Sequence, residues 1–166
     1  SNFMVFLTFL LFFIVDSFFF SYPINEIKPS LVLLGFVYWN LALPQKVGEG
    51  FIPFYIIVLG ILYDFLQGTI IGIYPLVFII TSYLCQRFFY QFRPMKFIQQ
   101  ILIIFIFVVI TRLFLATDFT NLGNLSLSLA DDQFLSFIFL NGLLSSITWP
   151  FLYLSLRYFR RRWVKN

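Results

Sequence analysis

The stretch FIQQILIIFIFVVITRLFLAT, residues 97–117, decides the fold. Its apolar residues run on continuously instead of alternating, which argues for a helix and against a barrel strand. About 20 such residues cross a bilayer as a helix. Its flanks differ in sign. Arg87, Arg93 and Lys96 precede it, whereas Asp118, Asp131 and Asp132 follow it with no Lys or Arg among them. Lys and Arg stay on the cytoplasmic side. The stretch therefore reads as a membrane span leaving the cytoplasm at Phe97.

Working outward, the rest of the chain has the same character. Of its 166 residues, 61% are hydrophobic and 11% charged. Soluble domains carry about 25% charged residues, and a chain this short has too little interior to bury so much apolar surface without lipid. Five further apolar runs share the pattern, at about Phe3–Tyr22, Ser30–Leu43, Phe51–Leu66, Ile70 to just before Arg93-Pro94, and Gln133–Tyr158. Pro29 and Pro53 fall at helix starts, where a missing N–H costs little. Pro44 and Pro94 fall just beyond helix ends. Pro150 interrupts the last run and is expected to free the Ser146 carbonyl and bend that helix. The second run, at about 14 residues, is short for a span. It must thin the bilayer, use snorkelling flanks or pack inside the bundle.

The expectation is an all-α, single-domain bundle over residues 1–166 with six transmembrane helices. The tail holds Arg157, Arg160, Arg161, Arg162 and Lys165. Two spans separate it from the Arg87–Lys96 cluster, so both lie inside and the link at 118–132 lies outside. Counting back places the N-terminus inside as well. The first run has no basic n-region and no small-residue cleavage site, and is read as a span rather than a signal peptide. The tail also suits an anionic inner leaflet.

Charges inside the membrane are the informative residues, because each costs about 2.5–3.5 kcal/mol to insert. Three stand out, Asp16, Asp64 and Arg112. Helix rise puts all three about 20–22 Å from the inner surface. Equal depth and opposite charge predict that Arg112 pairs with Asp64, with Asp16 as the second candidate. Asn141, eight residues into the last span, is expected to bond a neighbouring helix. Gly60, Asp64, Gly68 and Gly72 are spaced by four. Gly60 reads as close packing, Gly68 as a turn and Gly72 as the entry to span four. Tyr38 and Trp39 are too deep for an interfacial belt, and are either core residues or a ridge facing a partner.

The chemistry is restricted. The chain has no His and one Cys, Cys85. A His-based triad, a His zinc site and an internal disulfide are excluded. Ser145 and Ser146 lack an evident base. The net charge of +4 lies between apolar runs, so it marks topology and not nucleic-acid binding.

The order of motifs carries a resemblance. Tyr38-Trp39-Asn40-Leu41-Ala42-Leu43-Pro44 follows Pro29 and a short apolar run. Gly48 and Gly50 come next, then Gly60, Asp64, Gly68 and Gly72. Tyr83, Gln99-Gln100, Asn141-Gly142 and Trp149-Pro150 precede the basic tail. From Pro29 to the C-terminus, this order resembles the bacterial rod shape-determining MreD family. The resemblance implies a place in the inner membrane and a non-catalytic role in cell-wall elongation. Implied partners are MreC, RodA with its penicillin-binding protein, the MreB filament system indirectly, and membrane lipid; no cofactor is implied. It also implies a helix arrangement similar to the substrate-binding subunits of energy-coupling-factor vitamin transporters. A transporter subunit of that kind is the rival reading. The Arg112 in span five departs from the family's pattern.

Overall fold

The structure is a computed structural model and describes residues 2–18, 24–42, 52–67, 71–92, 94–116 and 132–163. Among these, eight helical segments occur in chain order: α1 Asn2–Ser17, α2 Ile24–Ile27, α3 Leu31–Ala42, α4 Ile52–Gln67, α5 Ile73–Arg87, α6 Phe89–Phe92, α7 Phe97–Ala116 and α8 Asp132–Trp163. The six helices longer than one turn fall on the six apolar runs. The predicted turn at Gly68 and the outer link at 118–131 lie outside the described residues.

Among the described residues, two helices, α7 and α8, are long and apolar enough to cross a bilayer by length and composition. Of the other four helices longer than one turn, the shortest is α3, with 12 residues, or about 18 Å of rise. Every residue from Val32 to Asn40 in α3 is buried. Of the three ways to accommodate a short span, the protein uses internal packing. A helix sheathed on all sides by other helices need not match the lipid thickness.

The chain divides into two compact units. The first comprises Ser1–Phe18, Leu31–Met95 and Leu152–Asn166; the second comprises Phe19–Ser30 and Lys96–Phe151. In the first unit, α3 runs antiparallel to α1. Trp39 Nε1 donates to Thr8 Oγ1 at 3.0 Å, while the start of α3 meets Asp16 near the end of α1. α5 runs parallel to α3 with a constant offset of 42 residues. Phe36 packs on Phe78 with ring centroids 5.0 Å apart, and Ser82 Oγ donates to Asn40 Oδ1 at 2.9 Å. α4 lies antiparallel to α5, and Tyr63 meets Tyr74 edge-on at 4.6 Å.

Two glycines set these distances. A Cβ on Gly60 would lie 2.7 Å from the backbone nitrogen of Pro75, and one on Gly35 would lie 2.5 Å from the Phe12 ring. Gly60 therefore lets α4 and α5 approach closely. Gly35 serves α1 and α3 in the same way and carried no distinguishing spacing in the sequence.

In the second unit, α7 and the first part of α8 pack through Gly142. A Cβ there would come within 2.7 Å of Val109 and 3.1 Å of Phe105. Phe105 also meets Phe139 edge-on at 5.2 Å. α8 continues through Pro150 and extends to Trp163, five residues beyond the expected Tyr158. The basic tail is thus helical up to that point. Cations at a helix C-terminus favour this, since they face the negative end of the macrodipole. Arg160 also donates to the Ala42 carbonyl at 3.1 Å and so caps the end of α3.

Candidate functional site

The buried polar side chains fall into two kinds of site. The first kind is a carboxylate at the end of one helix that holds the start of another. Asp16 is 3% exposed and Asp64 is fully buried. Asp16 accepts backbone N–H bonds from Val32 at 3.0 Å and Leu31 at 3.4 Å, and the Tyr63 hydroxyl at 3.2 Å. Asp64 accepts from the N–H groups of Gly72 at 2.7 Å and Tyr74 at 3.1 Å. Each carboxylate thus caps a following helix, α3 in one case and α5 in the other.

The reason is general. The first N–H groups of a helix have no partner within it, and lipid supplies none. A carboxylate satisfies two at once and also meets the positive end of the dipole. Gly72 completes the second site with φ of 108°, a left-handed conformation that leads into α5. The α1–α3 and α4–α5 pairs are built alike. No sequence repeat announces it, because the connecting segments differ in length.

The bonds of Arg112 lie within the second unit. Arg112 Nε donates to Asn141 Oδ1 at 3.3 Å and its Nη2 to Ser30 Oγ at 3.5 Å. Asn141 Nδ2 in turn donates to the Lys28 carbonyl. Asn141 is 1% exposed and joins α7, α8 and the segment before α3.

Tyr38 and Trp39 are 3% and 2% exposed. They belong to the core of the first unit and offer no surface to a partner, which corrects the partner-facing expectation. Tyr38 stacks edge-on against Trp39 at 5.4 Å and Tyr153 at 5.5 Å. Pro150 sits within α8 and is not a helix end. Just before it, Trp149 Nε1 donates to Gln100 Oε1 at 3.3 Å. The Ser145 hydroxyl is buried with no hydrogen-bond partner among the described residues.

Sequence reasoning missed Thr8, Ser30 and Tyr63. Thr8 and Tyr63 are ordinary helix residues and Ser30 directly precedes α3; the role of each appears only when another helix supplies its partner. The polar groups named here hold helices together, and their geometry offers no nucleophile placed beside a base.

Three comparisons bear on identity. A family model described as rod shape-determining protein MreD matches residues 1–159. The rod shape-determining protein MreD of Haemophilus influenzae is 28% identical over 136 residues, covering 82% of this chain and 77% of that protein. No solved structure matches the chain. The buried intramembrane carboxylates, the helical bundle and a family match spanning nearly the whole sequence lead to one conclusion: this chain belongs to the rod shape-determining protein MreD family.

Proposed function

We propose that this protein is a non-catalytic membrane scaffold of the bacterial cell-elongation machinery. It lies in the inner membrane with six spans and both termini in the cytoplasm. It binds the membrane helix of MreC and helps couple the MreB system to the peptidoglycan synthase formed by RodA and its penicillin-binding protein. The observation that carries the role in rod shape is the family match over residues 1–159.

Two features of the fold support a scaffold. The buried carboxylates cap helices, so they act in architecture. The outer faces are bulky and apolar. On α8, the exposed residues Leu140, Leu144, Ile147, Phe151, Leu154 and Tyr158 recur at spacings of four and three, the seam along which a second helix packs knobs into holes. The described glycines with close neighbours already serve internal contacts. A partner helix therefore docks on large side chains rather than on a small-residue groove. In lipid, such docking is driven by packing and not by apolar burial.

Photo-crosslinkers placed singly at Leu11, Leu62, Leu144 and Phe151 test this in cells. MreC adducts are expected from at least one exposed position and from none at buried Trp39. Absence of an MreC adduct from every exposed position overturns the proposal. A bound vitamin and a co-purifying ATPase module would place the protein with the transporter subunits instead.

A further inference from the structure

The chain has 11 Lys and Arg residues. In the orientation proposed above, nine of them face the cytoplasm. The exceptions are Lys28 and Arg112, and the fold brings their residues together in the second unit. Asn141 links them by accepting from Arg112 and donating to the Lys28 carbonyl. That second bond fixes the amide, so its oxygen is presented to the guanidinium. Ser30, two residues from Lys28, accepts from Arg112 Nη2.

A guanidinium has five N–H donors. Among the described residues, Arg112 meets one amide oxygen and one hydroxyl oxygen and no carboxylate. A membrane-embedded cation is normally answered by an opposite charge or a polar cavity. The topology rule also works against placing cations on the outer side. A guanidinium held on two neutral oxygens there keeps N–H donors to offer an anion.

Depth identifies the anion. From Phe97 to Arg112, α7 rises about 22 Å, which leaves about 8 Å of hydrocarbon above the Cα atom. Arg112 Nη2 reaches Ser30, the residue just before α3, so in this orientation the head lies at the outer level where the chain enters that helix. We propose that Arg112, held by Asn141 and Ser30, binds the phosphate of an outer-leaflet phospholipid. Guanidinium and phosphate match as bidentate partners. The proposal rests on the orientation given above, which a reporter fused after Lys165 tests separately.

The full-length protein in detergent is titrated with dioleoyl phosphatidylglycerol, and bound lipids are counted by native mass spectrometry. The inner basic residues also retain this lipid, so the readout is the loss of one bound lipid relative to wild type. Arg112→Gln is expected to lose that lipid, with affinity at the site lowered about tenfold. Arg112→Lys keeps most of it and Ser30→Ala weakens it, and these two carry the test if Arg112→Gln fails to fold. Dioleoylglycerol, which lacks phosphate, does not occupy the site. Displacement of the lipid from wild type by millimolar inorganic phosphate shows a free-phosphate site and overturns the lipid assignment. A wild-type lipid count in all three variants overturns the proposal. Loss of a co-purifying protein in Arg112→Gln, with the lipid count unchanged, assigns Arg112 to a partner's carboxylate and overturns it equally.

Discussion

At the scale of single residues, the buried carboxylates are the most consequential groups. Asp64 takes two backbone N–H groups at the start of α5. Hydrogen bonds to a charged acceptor contribute about 1.5–3 kcal/mol each, and removing the acceptor leaves the donors buried and unmet. Asp64→Ala is expected to lower stability by about 2–4 kcal/mol. Asp64→Asn keeps one acceptor oxygen and should lose about half as much. Unfolding titrations in mixed detergent micelles measure both. An alanine variant as stable as wild type would show that the cap contributes nothing. Ser145 gives the opposite sign. Its hydroxyl is buried without a partner among the described residues, so Ser145→Ala should leave stability unchanged or raise it by about 1 kcal/mol. The same titration reads it.

At the scale of elements, close approach distinguishes the glycines. Gly60→Ala would place a methyl 2.7 Å from the Pro75 backbone, and backbone atoms cannot swing away. Overpacking of this kind costs about 1–3 kcal/mol. Gly142→Ala meets the Val109 side chain first, which can rotate, so it is expected to cost less. Equal losses at the two positions would refute the distinction. Gly72 differs again, because among the described residues no heavy atom lies within 4 Å of its absent Cβ while its φ is 108°. Gly72→Ala is expected to cost about 1–2 kcal/mol through left-handed strain alone. It should do so without changing the packing of α4 on α5, as judged by disulfide cross-linking between the two helices. α3 shows what an element gains from position. At 12 residues it is too short to span unaided, and it is stable because both its ends are held, by Asp16 at the start and by Arg160 at the last carbonyl.

At the scale of the whole molecule, orientation governs function. On the orientation proposed above, with the basic tail in the cytoplasm, a green fluorescent protein fused after Lys165 should fluoresce, and alkaline phosphatase at the same position should be inactive. In a strain lacking its own MreD, expression of this chain is expected to restore rod shape, while Asp64→Ala fails through loss of the fold. Spherical cells with the wild-type chain at normal membrane levels would count against the role in rod shape.

The class of fold was legible in residues 97–117 and their flanks. Lipid leaves a chain so few solutions that continuous apolar runs, prolines at their margins and the sign of each link suffice. The positions of α3, α4 and α7 followed to within a residue or so of the predicted limits. Asp16, Asp64, Arg112 and Asn141 were also legible as the informative groups, since a polar residue in a span is conspicuous. Their partners were not. Composition records that a carboxylate is buried, but the helix N-terminus that meets it is a property of the backbone once folded and has no letter in the sequence. For the same reason Tyr38 and Trp39 gave no sign of which way they face. Burial of a residue in an all-apolar helix is set by its neighbours, because such a helix has no polar side to orient it. The amino-acid sequence determined that this protein lives in a membrane as helices. The tertiary structure decided which polar group holds which helix, because in lipid every unpaired N–H must find an acceptor and only the packed helices bring one within reach.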